Sequence, residues 1–212
     1  MIDTTLDRPI ETSACAPCHV HYLADAHTVL DTWVKSQTQK IDRRTMRTLV
    51  DLLATSDPVK ALVAGFESRT LYPSRPAIKL ETPTSPTVWL LGFRPGESTD
   101  VHDHALSEAA IHVYSGEIEE TIYWPQEKQI IGEVINKGPC KTVTRELATP
   151  STISVPTPYT HKFAGNCVAT DMLPLCAVSI HAYYPQLKIM NLYRVDEANE
   201  TIEFSGSWED NG

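Results

Sequence analysis

Between about residues 22 and 65, apolar residues recur at spacings of three and four. Leu23, Ala26, Val29, Leu30, Trp33 and Val34 make one stripe, and Met46, Leu49, Val50 and Leu53 make another. Positions so spaced share one face of a helix, so the segment predicts amphipathic helices. Asp42 stands where an N-cap would precede a helix over 43–54, its side chain free to accept from an otherwise unpaired amide. Ser56-Asp57-Pro58 opens a third short helix, with proline in the first turn, where its missing N–H costs nothing. After Gly65 the pattern changes to short runs rich in valine, isoleucine, threonine and tyrosine, punctuated by proline and glycine. The stretches 88–93, 110–114, 117–124, 142–147, 152–155, 176–183 and 189–195 read as strands. Many short strands bounded by turn signals predict a sandwich or barrel rather than alternating β-α units. The helical stripes then serve to pack helices onto that sheet, and no chemistry is assigned to them.

Length sharpens this picture. A chain of 212 residues buries one substantial core, and no linker divides it, so one domain is expected. In it a helical segment, 1–65, packs on a β-barrel, 66–212. The net charge of −9 without a basic run argues against nucleic acid and anionic membrane as partners. With no long apolar run and no signal-peptide pattern near Met1, a soluble cytoplasmic protein is expected. Five cysteines in such a compartment predict thiols rather than a disulfide framework. Cys15-Ala16-Pro17-Cys18-His19 matches the attachment motif of c-type haem. That chemistry requires export, however, and zinc binding with His19 and His21, redox activity or two plain thiols are the other readings.

The candidate chemistry lies in His102-Asp103-His104. Successive side chains on a strand point to opposite faces, so the two imidazoles face one way and can chelate one metal ion. Neutral imidazole suits iron, zinc, copper or nickel. Gly96 and Gly116 mark turns on either side. In Ser179-Ile180-His181-Ala182-Tyr183 the same alternation puts Ser179, His181 and Tyr183 on one face. Facing inward, that polar row needs hydrogen-bond partners; facing outward, it is simply wet.

Glycine, five residues, H-x-H and the later glycine resemble the first cupin motif. Two registers fit: one places Glu108 at the motif's acid position, the other fits Gly116 and places Ala109 there. The second register, together with H-D-H-x-x-S from His102 to Ser107, is similar to that of cysteine dioxygenases and related bacterial thiol dioxygenases. The resemblance implies a mainly β, cupin-type barrel (a double-stranded β-helix or jelly roll) with N-terminal helices. Val155-Pro156-Thr157-Pro158-Tyr159-Thr160-His161 resembles the second cupin motif, with Pro158 where glycine is usual, and implies His161 as third ligand of an Fe(II) bound by His102 and His104. S-x-H-x-Y resembles the family's chain in which Ser179 orients His181 and His181 holds the catalytic Tyr183 beside the metal and substrate. The family's carboxylate-binding arginine matches Arg69 in Ser68-Arg69-Thr70-Leu71-Tyr72, with Arg75 as competitor. An arginine fork suits bidentate carboxylate recognition.

The implied reaction adds both atoms of O2 to a small thiol, L-cysteine first, giving a sulfinic acid. Ala109 occupies the position where mammalian members carry a cysteine crosslinked to the tyrosine, so no such crosslink forms here. Three other readings stand beside this one. The substrate could be 3-mercaptopropionate or another small thiol, although relatives of that type carry glutamine in place of the arginine. With Glu108 as fourth ligand, a zinc or manganese cupin isomerase or hydrolase fits. A ligand-sensing cupin would not need the Ser179, His181 and Tyr183 row. The oligomeric state is left open, a monomer included.

Overall fold

The computed structural model describes residues 17–68, 75–125, 137–157, 159–167 and 175–210. Three helices come first: α1 (Pro17–Ser36), α2 (Arg43–Thr55) and α3 (Asp57–Ser68). Asp42 caps α2 in a reciprocal box: its carboxylate accepts from the Thr45 amide at 2.8 Å, and its own amide donates to Thr45 Oγ1 at 2.9 Å. The expected stripe of α2, Met46, Leu49, Val50 and Leu53, is fully buried, and Ala26, Leu30 and Trp33 of α1 join it.

Ten strands follow: β1 (Ala77–Leu80), β2 (Thr87–Phe93), β3 (Val101–Asp103), β4 (Glu108–Pro125), β5 (Lys137–Ala148), β6 (Ser151–Val155), β7 (Thr160–Gly165), β8 (Ala177–Tyr184), β9 (Ile189–Asp196) and β10 (Thr201–Glu209). All pairings are antiparallel. One sheet runs β1-β2-β8-β4-β6. The other half of β4 pairs with β5 and β7, and the pairings β5–β10, β10–β9, β9–β3 and β3–β7 return to β4 and close a ring. Strand β4 therefore belongs to both sheets. Closure leaves that ring without a free edge.

The two strands expected over 110–114 and 117–124 are one. Gly116 does not end a strand; it sits beside a register shift between Val113 and Ser115, at φ +72°. A bulge of this kind bends a strand without breaking it, and here it carries β4 from one sheet to the other. Strands β1, β7 and β10 were not among the expected strands. Strand β1 has four residues, and β7 and β10 mix glycine, charged and small residues with few apolar ones.

Strand β8 is buried on both faces. Val178, Ile180 and Ala182 on its outer face pack with Val88, Leu90 and Ala110 against the helices. The inner face meets a second cluster that includes Phe93, Ala109, Ile111, Val113 and Phe163. This is the mainly β, cupin-type double-stranded β-helix with N-terminal helices.

The cysteine expectation needs correction. Cys167, just beyond β7, and Cys176, just before β8, form a disulfide with Cα atoms 5.5 Å apart. Their proximity is tertiary: the Cys176 amide donates to the Phe93 carbonyl at 2.6 Å, and a Cβ added at Gly165 would lie 3.0 Å from Cys176 Cβ. Cys140 is a buried free thiol. The Cys15 to His19 motif lies outside the described side chains. Among the described residues, no helix is long and apolar enough to cross a membrane.

Candidate metal centre

Strand β3 is only three residues long, and it places His102 directly opposite His161 of β7. Directly opposed side chains in an antiparallel pair lie on the same face, so this register brings together two histidines 59 residues apart in sequence. His104 lies one residue beyond β3, on the turn that follows rather than on the strand itself. Asp103 shapes that turn. Its carboxylate accepts from the Ala105 amide at 2.8 Å, from Asn191 Nδ2 at 2.8 Å and from the Tyr193 hydroxyl at 2.5 Å. Ala105 is held in the left-handed region at φ 49°, a conformation that costs a non-glycine residue and is held here by those bonds.

The result is a convergence of Nε2 atoms. His104 Nε2 lies 3.2 Å from His102 Nε2 and 3.3 Å from His161 Nε2. All three histidines are buried. Metal–imidazole bonds of about 2.0–2.1 Å, set at right to tetrahedral angles, separate ligand nitrogens by roughly 2.8–3.4 Å, so the spacing fits a metal ion. Among the described residues these three form the group of histidine, cysteine or acidic side chains that can hold a metal.

Tautomers agree with that use. His102 Nδ1–H donates to the Asp100 carbonyl at 2.8 Å, and His161 Nδ1–H donates to Glu120 Oε1 at 2.8 Å. Each bond leaves an Nε2 lone pair aimed at the centre. Burial holds the pKa of His102 below its ordinary value. Burial first and the neighbouring imidazoles second hold His104 well below it, and burial, His102 and Arg145 do so for His161. The three rings are thus neutral, as ligation requires.

Glu120 was absent from the sequence expectations. In the β4–β7 register Ile122 opposes His161 and Glu120 opposes Phe163, so Glu120 is the diagonal neighbour of His161. On its other side Arg145 of β5 stands directly opposite, with Nε 2.6 Å and a terminal nitrogen 2.5 Å from Oε2. Burial pushes the Glu120 carboxyl up and Arg145 draws it back. A signal was available: alternation along β4 puts Glu120 in one row with Ile118 and Ile122, a charge in an apolar row.

Glu108, the alternative acid of the motif, points elsewhere. It pairs with Arg43 of α2 at 3.3 Å, with a third of its side chain exposed. Ala109 faces inward instead, directly opposite Tyr183.

The polar row of β8 faces inward as well. Ser179 Oγ lies 2.7 Å from His181 Nε2, and His181 Nδ1 lies 3.2 Å from the Tyr183 hydroxyl. All three residues are buried. The Tyr183 ring meets His104 edge-on at 4.8 Å between centroids. Burial raises the Tyr183 pKa far above its usual value, opposed in part by Arg75, and burial drives His181 well below its own. The row therefore presents a protonated phenol and a neutral imidazole. The Arg75 guanidinium lies over the Phe93 ring at 5.5 Å, and its charge reaches His102, His181 and Tyr183. Arg69 lies outside the described residues.

No curated protein matches this sequence. Among solved structures, the chain is similar to an uncharacterized conserved protein with a double-stranded β-helix domain from Klebsiella pneumoniae, at 13% identity and TM-score 0.42 over 61% of this chain and 92% of that one. It is also similar to an oxalate oxidase (16%, TM-score 0.40, 57% of this chain and 56% of that one) and to KdgF from Halomonas sp. (16%, TM-score 0.37, 55% and 83%). A family profile described as cysteine dioxygenase type I matches residues 81–196, more than half of the chain. That span holds His102, His104 and His161, the Glu120 that bonds His161, and the Ser179, His181 and Tyr183 row, and the chain belongs to the cysteine dioxygenase type I family.

Proposed function

We propose that this protein is an iron-dependent thiol dioxygenase that converts L-cysteine and O2 to the sulfinic acid. The observation that carries the reading is the buried three-histidine centre lying against an equally buried serine–histidine–tyrosine chain. Within the family this supports a cupin-type thiol dioxygenase in general; iron and cysteine are the finer assignments. When bound by three neutral imidazoles, Fe(II) keeps its charge uncancelled, lowers the thiol pKa and supplies a redox centre for O2. The reaction balances without a further reductant: a thiolate and O2 give a sulfinate, with both new S–O bonds drawing on sulfur's electrons.

The chain's own residues bind and orient. In the tautomer this reading assigns, with Ser179 O–H donating to His181 Nε2, Nδ1–H donates to the Tyr183 oxygen and leaves the phenolic proton free for substrate or the oxygen being transferred. Burial excludes water from that proton. For the substrate carboxylate we assign Arg75 ahead of Arg69. What supports Arg75 is its charge reaching His102, His181 and Tyr183 and the support of its guanidinium by Phe93. An arginine in this role favours cysteine over 3-mercaptopropionate, by the family resemblance. The turn of Glu108 to Arg43 speaks against the four-ligand isomerase reading, and the Ser179, His181 and Tyr183 chain speaks against a plain sensor. The same reading takes the chain as one cytoplasmic domain, its helices and sheet sharing an apolar cluster, with no nucleic-acid or membrane partner. The Cys167–Cys176 disulfide counts against that compartment, where thiols stay reduced.

The test is anaerobic purification, metal analysis and O2 uptake with a panel of small thiols. Iron retention, one O2 consumed per sulfinate formed and a preference for cysteine are expected. Iron-loaded protein that consumes no O2 with any thiol would overturn the reading.

A further inference from the structure

The Glu120 and Arg145 pair takes no part in the proposed reaction, yet it touches a metal-facing ligand. The Glu120 side chain is fully buried, and its two oxygens have different partners: Oε1 takes His161 Nδ1–H at 2.8 Å, while Oε2 takes both contacts from Arg145, at 2.6 and 2.5 Å. Strand pairing sets this arrangement, because β4 lies between β7, which carries His161, and β5, which carries Arg145.

We propose that Glu120 is a positioning residue that locks His161 in the tautomer with its proton on Nδ1, with Arg145 fixing which of its oxygens faces the ring, and so sets the metal affinity of the site. This rests on the metal-centre reading above, but not on the identity of the thiol. The logic is one of donors and acceptors. Arginine has only donors and a carboxylate only acceptors. With Arg145 occupying one oxygen, the other can only accept, so the facing imidazole nitrogen must carry the proton. The Nε2 lone pair is then committed to the centre. Carboxylates in this position orient metal-binding histidines and raise their basicity.

The arrangement makes a sharp prediction for Glu120→Gln, which is nearly isosteric and uncharged. Glutamine has one acceptor oxygen, and Arg145 must take it. The amide NH2 group then faces His161 Nδ1, which has to accept, and the ring proton moves to Nε2, where it blocks the metal. Removing Arg145 as well frees the amide to turn over and offer its oxygen to His161. Arg145→Met should therefore rescue most of the Co(II) affinity lost in Glu120→Gln, although each change removes a partner from a buried network.

Titration of the metal-free full chain with Co(II), alongside thermal melting, reads this without any thiol or turnover. Glu120→Gln should weaken Co(II) binding by about 10- to 100-fold, while ¹⁵N chemical shifts of the metal-free protein show the His161 ring proton moving from Nδ1 to Nε2. Glu120→Gln/Arg145→Met should recover most of the affinity and return the proton to Nδ1. Arg145→Met alone keeps the carboxylate acceptor and should keep the tautomer even if its melting temperature falls. Unchanged affinity in Glu120→Gln, a double variant as weak as the single one, or a tautomer switch in Arg145→Met would overturn the proposal. If Glu120→Gln alone fails to melt cooperatively, the proposal stands or falls on two measurements: near-wild-type Co(II) affinity in the double variant, and the Nδ1–H tautomer in Arg145→Met. A protein that passes these tests but oxidises no thiol would overturn the proposed reaction and leave this inference standing.

Discussion

At the residue scale, the proposed reaction rests on a few polar atoms in a buried interior. Tyr183→Phe keeps the ring packed against His104 and deletes only the hydroxyl. Loss of such a donor should lower kcat by on the order of 10²-fold, with iron content and melting temperature nearly unchanged. His181→Ala removes the partner that holds that hydroxyl and should resemble it. Combined, the two should cost far less than the product of their separate effects, because they act as one unit. Turnover unaltered in Tyr183→Phe would reduce the row to structural hydrogen bonding. A second experiment separates the two arginines. Arg75→Ala should raise KM for cysteine more than it lowers kcat, while cysteamine, which lacks the carboxylate, gains relative to cysteine. If Arg69→Ala shows that pattern and Arg75→Ala does not, the assignment moves six residues back.

At the element scale, the bend of β4 decides how the two sheets share a strand. A Cβ at Gly116 would lie 1.8 Å from the Cys176 carbonyl oxygen, and φ is +72°. Gly96 has a similar φ, +76°, but nothing within 4 Å of its hypothetical Cβ. Gly96→Ala should then cost only the left-handed backbone, roughly 1–2 kcal/mol, whereas Gly116→Ala adds a backbone clash and should cost clearly more. Equal losses in chemical denaturation would show that the clash relaxes freely. The α2 cap offers a test by pH. Bonds from the Thr45 hydroxyl and amide hold the Asp42 carboxyl below its ordinary pKa. A depressed folded pKa means stability present above the unfolded pKa and lost as pH falls through the folded one. Wild type should therefore be more stable than Asp42→Ala at neutral pH, with the difference shrinking in acid. A difference that persists through that range would remove the carboxylate's charge from the cap.

At the scale of the whole molecule, the Cys167–Cys176 disulfide joins the end of one strand to the start of another across nine positions of sequence. A crosslink closing so short a loop should contribute about 2–3 kcal/mol. Alkylation without reductant, followed by peptide mapping, should recover Cys167 and Cys176 as one linked peptide, and Cys176→Ser should melt at lower temperature. Both residues alkylated in native protein would show that the thiols are reduced.

What could be read from the sequence follows from short-range periodicity. The buried stripe of α2, its Asp42 cap and the shared face of Ser179, His181 and Tyr183 on β8 each lie within a few residues, where helix and strand geometry alone decide which side chains share a face. His102 and His104 are as near in sequence, but the turn that Asp103 holds aims His104 at His102. The family resemblance extended this to His161, and the register of β3 on β7 supplies the physical reason the two meet. Tertiary structure alone decided the rest. Glu120 is locally only a charge in an apolar row; it meets His161 and Arg145 because β4 lies between their strands. Arg75 comes to lie over the Phe93 ring only through the fold. Glu108 stands as the alternative to Ala109 in a spacing rule until the fold turns one to Arg43 and the other to Tyr183. Cys167 and Cys176 pair, and Gly116 bends a strand rather than ending it, because closure of the barrel brings β7, β8 and β4 to one place. Such contacts depend on which strands pair and in what register, and that is settled by packing the whole chain.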